Sequence, residues 1–224
     1  MLFDMDGTLV DSEKTWQVAL EDLAEHHGAT LSAGARQALI GATTADSMEI
    51  IYTDIGQPWQ DHAAGGRWLE ARVMVLFRSG LQWRPGAREL LAAVRSAGLR
   101  TALVTATARH ITEVMLDTLG RSNFDVVVTQ DDVVNGKPHP DPYLTAADAL
   151  DVPVADCVVI EDSPAGCASA VAAGCTVLAV PCEVDLSDVP SVTLASSLTA
   201  VDLPYLRRLS LQRAGGALTT PPAR

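Results

Sequence analysis

Two carboxylates stand one residue apart in the opening stretch M-L-F-D-M-D-G-T-L-V-D-S-E, Asp4 and Asp6, where an apolar run ends. One reading of that spacing is an acidic turn after a buried strand. The other is chemical: a carboxylate nucleophile and an acid/base partner sharing a metal ion. Three later segments supply the groups that the chemical reading needs. T-A-T (105–107) follows Leu103-Val104, Lys137 sits in N-G-K-P-H-P-D-P, and Glu161-Asp162 open E-D-S-P-A-G after Val158-Val159-Ile160. Taken singly, each has a plainer explanation as a turn residue, a solvated charge or a helix cap. Their joint occurrence, each beyond an apolar run, favours catalysis.

The elements that must position these groups follow from periodicity. From Arg84 onward apolar runs alternate with helical spacing. Helices are expected over 85–97, 108–119, 141–150 and 165–173. Gly98, Gly120 and Gly174 serve as stops for the first, second and fourth, with Asp141 as N-cap and Pro142 at the first position of the third. Strands are expected over 99–105, 124–128, 157–160 and 176–180, with a short one at 191–194. Such alternation means right-handed βαβ crossovers, a parallel sheet and a ligand site at the carboxyl edge of the strands. Residues 13–83 break the pattern. Trp16, Leu20 and Leu23 share one helical face, further helical runs cover 32–40, 44–55 and 61–77, and no strand is convincing. Gly65 and Gly66 weaken the last run. The expected fold is therefore α/β. A doubly wound parallel sheet (1–12 and 84–205) carries an all-helical cap (13–83) inserted after its first strand. The block 206–224, with Gly-Gly, Pro-Pro, several arginines and no acids, reads as a solvated, disordered tail. Only three residues precede Asp4, fewer than such strands usually carry, so the natural start is expected upstream or the chain trimmed.

The chain's 224 residues carry a formal charge of -12. That balance disfavours non-specific nucleic-acid binding and docking on an anionic membrane. An anionic substrate then requires local positive charge. Lysine occurs twice against 14 arginines, which draws notice to Lys137. None of the four cysteines has C-x-x-C spacing, no apolar run reaches membrane length and no signal peptide is evident, so a reduced cytoplasm is the expected compartment. A monomer or weak dimer is expected.

The motif set resembles the haloacid dehalogenase superfamily of phosphotransferases over essentially residues 1–205. D-M-D-G-T looks like its D-x-D-G-T signature, Thr105 its Ser/Thr motif, Lys137 its lysine and Glu161-Asp162 its acidic motif. The insert resembles the mobile cap of the β-phosphoglucomutase-like branch. The resemblance implies a Rossmann-like core and gives the residues roles that chemistry supports. Asp4 attacks phosphorus to form an aspartyl phosphate, and Asp6 is general acid to the leaving alkoxide and then base for water. Mg²⁺ is held by Asp4, the Asp6 carbonyl and Asp162, with Glu161 bound directly or through water. Lys137 neutralises Asp4 and the phosphoryl oxygens, and Gly7, Thr8, Thr105 and Ala106 surround the phosphate. Cap residues Thr44, Ser47, Trp68 and Arg72 are candidate substrate contacts, and cap closure would exclude water.

Among the family's reactions, dehalogenation is disfavoured because its dehalogenases lack the second aspartate. Phosphonate cleavage needs a cap lysine, and Lys14 at the hinge is the only candidate. Family mutases carry a hinge histidine where this chain has Trp16, and a cap arginine near I-G-A-T-T-A-D-S where this chain has Thr44. Hydrolysis of a small phosphomonoester, a sugar or polyol phosphate, is the favoured expectation. A β-phosphoglucomutase-type phosphotransfer is the alternative, and a non-catalytic binding module comes third.

Overall fold

A computed structural model describes residues 1–39, 42 and 44–214. It divides into two compact units: Met1–Asp11 together with the chain from Gln82 onward, and Ser12–Leu81. The first unit holds six short parallel strands: β1 (Leu2–Phe3), β2 (Ala102–Val104), β3 (Val126–Val128), β4 (Val158–Glu161), β5 (Thr176–Ala179) and β6 (Thr193–Leu194), in the order β3-β2-β1-β4-β5-β6. Strands β1, β2, β4 and β5 are buried throughout, as continuous apolar runs covered on both faces should be. Successive strands move one way from β1 through β3, then resume on the other side of β1 at β4. This order reversal is the switch point where such sheets bind ligands. The register pairs Phe3 with both Leu103 and Ile160, so Asp4, Val104 and Glu161 follow side by side at one edge.

Helices run between these strands: α5 (Ala87–Ser96), α6 (Arg109–Leu119), α7 (Asp141–Ala149), α8 (Pro164–Ala173) and, last in the described chain, α9 (Leu203–Ala214), numbered after four helices of the second unit. Helix α8 shows why the sequence specifies its start. Ser163 accepts from the Gly166 N–H at 3.0 Å, and Pro164 opens the first turn. The small residues Gly166, Cys167, Ser169, Ala170 and Ala173 form its buried side. Helix α7 takes Asp141 into its first turn, with Pro140 rather than Asp141 as the flanking residue.

The disordered tail expected from residue 206 is corrected over its first part, because α9 is helical to Ala214. Leu206 and Leu209, three residues apart, are both buried, and the helix packs on α5 and β5. Asp202 accepts from the Tyr205 N–H at 2.7 Å near its start. An apolar i, i+3 pair among arginines suffices for a packed stripe, whereas the arginine-rich, acid-poor composition suggested solvation. Residues 215–224 lie outside the described residues.

The second unit is helical: α1 (Glu13–His26), α2 (Ala33–Ala38), α3 (Thr44–Asp54) and α4 (His62–Ser79). Helix α4 packs on α1 and α3. Gly65 and Gly66 do not break it. A Cβ at Gly65 would overlap the Tyr52 hydroxyl and the Met48 sulfur, so the glycine admits close approach of α3. Ile40, Gly41 and Thr43, in the expected cap loop, lie outside the described residues. Where the first unit's chain leaves and returns, Asp11 N–H bonds Gln82 O at 2.8 Å and Arg84 N–H bonds Leu9 O at 2.9 Å.

Candidate active site

The site grows from the carboxyl edge at the β1/β4 switch point. Asp4 directly follows β1, its N–H held by Ile160 O at 3.0 Å. The chain then turns sharply. Gly7 takes a φ of +74°, its N–H bonds Val10 O at 2.9 Å, and a Cβ there would overlap the Asp162 carboxylate. Only glycine satisfies both demands.

Lys137 spans the edge. Its ammonium donates to Asp4 Oδ1 and Glu161 Oε1, each at 2.6 Å, and to Val104 O at 3.0 Å. All three N–H donors are thereby used. The side chains are almost wholly buried, with 6% exposure for Lys137, 8% for Asp4 and 0% for Glu161, so water does little to screen the charges. Burial opposes the Lys137 charge, but Asp4 and Glu161 more than offset it and raise its pKa.

Glu161 is fully occupied by the protein. Oε1 accepts from Lys137 and from the Tyr143 hydroxyl at 2.7 Å, while Oε2 accepts from Asp162 N–H, Ser163 N–H and Ser163 Oγ at 3.0–3.1 Å. A Cβ at Gly166 would overlap this carboxylate, which accounts for the glycine in E-D-S-P-A-G. Asp4 differs, since its Oδ2 is buried with no hydrogen-bond partner.

Asp4, Glu161 and Asp162 offer oxygens within 4.8 Å of one another, enough to hold a metal ion. Three carboxylates face one ammonium, and the imbalance is visible in the acidity of Asp4 and Asp162. Burial pushes Asp4 up to about 7, with Glu161 adding and Lys137 opposing. Burial, then Asp4 and Glu161, push Asp162 up to about 9. A hard divalent cation would supply the missing charge, and an orphaned buried oxygen beside an all-oxygen donor set fits one. With Glu161 saturated, the oxygens with capacity to spare are those of Asp4 and Asp162. Asp162 Oδ1 already accepts from Thr8 Oγ1 at 3.1 Å.

Across from this cluster, Asp6 Oδ2 accepts from Thr107 Oγ1 at 2.8 Å and Thr105 Oγ1 at 3.2 Å, while Asp6 Oδ1 is buried and unpartnered. The structure thus brings together Asp4, Asp6, Thr8, Thr105, Lys137, Glu161 and Asp162. Ala106 is exposed between the two threonines. The Thr105 hydroxyl, expected on a phosphoryl group, here points its hydrogen at Asp6.

The four residues expected to touch substrate from the insert lie in the second unit. Thr44 begins α3 and Ser47 is buried within that unit. Trp68 stacks on His26 with centroids 5.0 Å apart, and Arg72 Nε donates to Asp22 Oδ2 at 2.6 Å.

Sequence reasoning passed over Tyr143 and Thr107. Tyr143 is fully buried, its phenol pKa raised well above normal, by burial first and then by Glu161. Its Lys-Pro-His-Pro-Asp-Pro-Tyr context offered a signal only in hindsight, as the one hydroxyl on a helix face otherwise made of Pro142, Ala146 and Ala147. Tyr143→Phe keeps the ring and deletes one donor to a buried carboxylate. Urea denaturation should show a loss of about 1.5–3 kcal/mol, the scale of a hydrogen bond to a charged group, at unchanged slope. An unchanged midpoint would show that the hydroxyl bears no weight.

The profile of the haloacid dehalogenase-like hydrolases matches residues 1–174 of the chain. Hexitol phosphatase A of Escherichia coli (strain K12) is 35% identical over 193 residues, 86% of this chain and 88% of its own. A phosphorylated carbohydrates phosphatase of Thermotoga maritima is 32% identical over 175 residues, covering 78% and 81%. Among solved structures, CbbY from Rhodobacter sphaeroides in complex with phosphate superposes with a TM-score of 0.76 at 28% identity, over 92% of this chain and 97% of that one.

Proposed function

Because this chain belongs to the haloacid dehalogenase-like hydrolases, we propose that it is a Mg²⁺-dependent phosphatase that hydrolyses a small sugar or polyol phosphomonoester through an aspartyl phosphate on Asp4. The observation that carries this reading is the Asp4 carboxylate, buried, with one oxygen clamped by Lys137 and the other without a partner. A purely structural carboxylate at that depth would be fully satisfied, as Glu161 is.

The chain's own groups can perform the reaction. Asp4 attacks phosphorus and the ester P–O bond breaks. The departing oxygen takes a proton from Asp6, whose Oδ1 is the oxygen free to carry one. Water then attacks the aspartyl phosphate and gives its proton to Asp6, which regenerates the Asp4 carboxylate and releases inorganic phosphate. Lys137 holds Asp4 in place and offsets its charge as the anionic substrate arrives. Asp4, Asp162 and the Asp6 carbonyl would hold Mg²⁺, with Glu161 orienting the loop around it. The ion would supply positive charge for the phosphoryl oxygens. No helix among the described residues is long and apolar enough to cross a membrane.

Phosphorus NMR of the protein with Mg²⁺ and a panel of sugar and polyol phosphates tests the proposal. The panel includes β-glucose 1-phosphate with a trace of the 1,6-bisphosphate. The expected result is growth of inorganic phosphate at the expense of one or more esters, halted by EDTA and restored by Mg²⁺. A new phosphomonoester without inorganic phosphate would overturn hydrolysis in favour of phosphotransfer. An unchanged spectrum across the panel would overturn the substrate class.

A further inference from the structure

We propose that Thr107 is a positioning residue for the Asp6 acid/base, and that it acts only in the steps where Asp6 moves a proton. The inference rests on the phosphatase reading and deepens it.

Asp6 is held unequally. Oδ2 accepts from the hydroxyls of Thr107 at 2.8 Å and Thr105 at 3.2 Å, whereas Oδ1 is buried with no partner. The Thr107 N–H donates to Thr105 Oγ1 at 3.0 Å. This occupies a lone pair on that hydroxyl and leaves its hydrogen directed at Asp6. With Oδ2 engaged by two donors, an incoming proton finds its place on Oδ1. One carboxylate oxygen is thus fixed as the anchor and the other as the proton carrier.

The two threonines are not equivalent. Thr105 directly follows β2 and its N–H is bound to Val128 O at 2.9 Å, so it belongs to the sheet edge where the phosphoryl group is expected. When phosphate takes up the Thr105 hydroxyl, Thr107 is left as the anchor, and it already makes the shorter bond. Thr107 is itself fixed from behind. Thr112, fully buried on α6, directs its hydroxyl to Ala108 O at 3.1 Å and Thr107 O at 3.4 Å. Placed this way, Thr107 stabilises the carboxylate that remains once Asp6 has given its proton to the leaving oxygen. It also keeps Oδ1 aimed for the return proton from water.

That role predicts a dependence on the leaving group. An alkoxide must be protonated as it departs, so an alkyl phosphate needs a well-placed Asp6. p-Nitrophenolate leaves unprotonated, so p-nitrophenyl phosphate does not. Because kcat/KM reports steps up to the first irreversible one, it isolates phosphoryl transfer from later hydrolysis of the phosphoenzyme. Thr107→Val keeps the shape and removes the hydroxyl. On the alkyl phosphate that the wild type turns over best, its kcat/KM should fall about 10²-fold, and on p-nitrophenyl phosphate at least about tenfold less. On any ester for which water attack on the shared phosphoenzyme sets kcat, kcat should fall as well, because that step also uses Asp6. Thr107→Ser, which restores the donor, should return both parameters close to wild type. Equal losses in kcat/KM on the two esters, or no loss on either, would overturn the positioning role. A wild type that hydrolyses neither ester would overturn the phosphatase reading itself, and this inference with it.

Discussion

Asp4→Asn should lower turnover by at least about 10⁴-fold, the scale on which removal of a nucleophile is felt, while leaving the protein folded. The amide has no oxygen able to form the aspartyl phosphate, so no second step remains. Stability should move the other way. In the metal-free protein the Asp4 carboxyl stands at about 7 against an ordinary 3.8. Its folded form therefore binds the proton more tightly than its unfolded form. Stability from this group is present below the unfolded value and is lost as pH rises towards 7. Asparagine never ionises and escapes that loss. It also leaves Lys137 paired with Glu161 alone, one charge against one. Thermal melting in EDTA should thus show the variant at least as stable as wild type at pH 8, with the advantage shrinking towards pH 4. A variant that melts well below wild type at pH 8 would contradict this account of the Asp4 charge. Retained turnover in a purified sample would remove Asp4 from the chemistry.

The same residues show what a sequence can and cannot reveal. Asp4 and Glu161 were legible because each follows an apolar run, and parallel strands bring their carboxyl ends to one edge. A two-residue and a four-residue strand were enough for this. The expected ends at Leu99 and Thr105 contract to Ala102–Val104 with no effect on the site. Tyr143 was not legible, because its partner Glu161 lies 18 residues away across a helix–strand packing that no local spacing encodes. Thr107 was hidden by the fact that T-A-T fits any turn, and only the path of the D-M-D-G-T turn brings Asp6 over it. Gly65 misled in the opposite sense. As an isolated letter it weakens a helix, but against Tyr52 and Met48 it is what lets two helices close. Helix α9 was obscured because a solvated composition surrounds its two buried leucines.

Lys137→Met should be the more damaging substitution, because it strikes stability and chemistry together. Methionine fills much of the same volume but leaves Asp4 and Glu161 buried at van der Waals depth with no cation. Removal of one partner from a buried ion pair costs about 3–5 kcal/mol, which urea denaturation of the metal-free protein at pH 8 should register. Mg²⁺ should recover part of that loss, since the ion binds the folded carboxylates and not the unfolded chain. Turnover should stay at least about 10²-fold below wild type even in saturating Mg²⁺, the cost of losing the fixed positive charge that holds Asp4 and offsets the charge of the reacting phosphoryl group. Lys137→Arg separates charge from geometry. Guanidinium restores the positive charge, so stability should return in part. It is a planar fork, however, and cannot set three donors around one point towards Asp4 Oδ1, Glu161 Oε1 and Val104 O. Activity should therefore remain low although the charge is back. In a chain that uses arginine 14 times and lysine twice, an arginine variant of full activity would mean that charge alone is required there. The tripod of bonds would then have no part in catalysis.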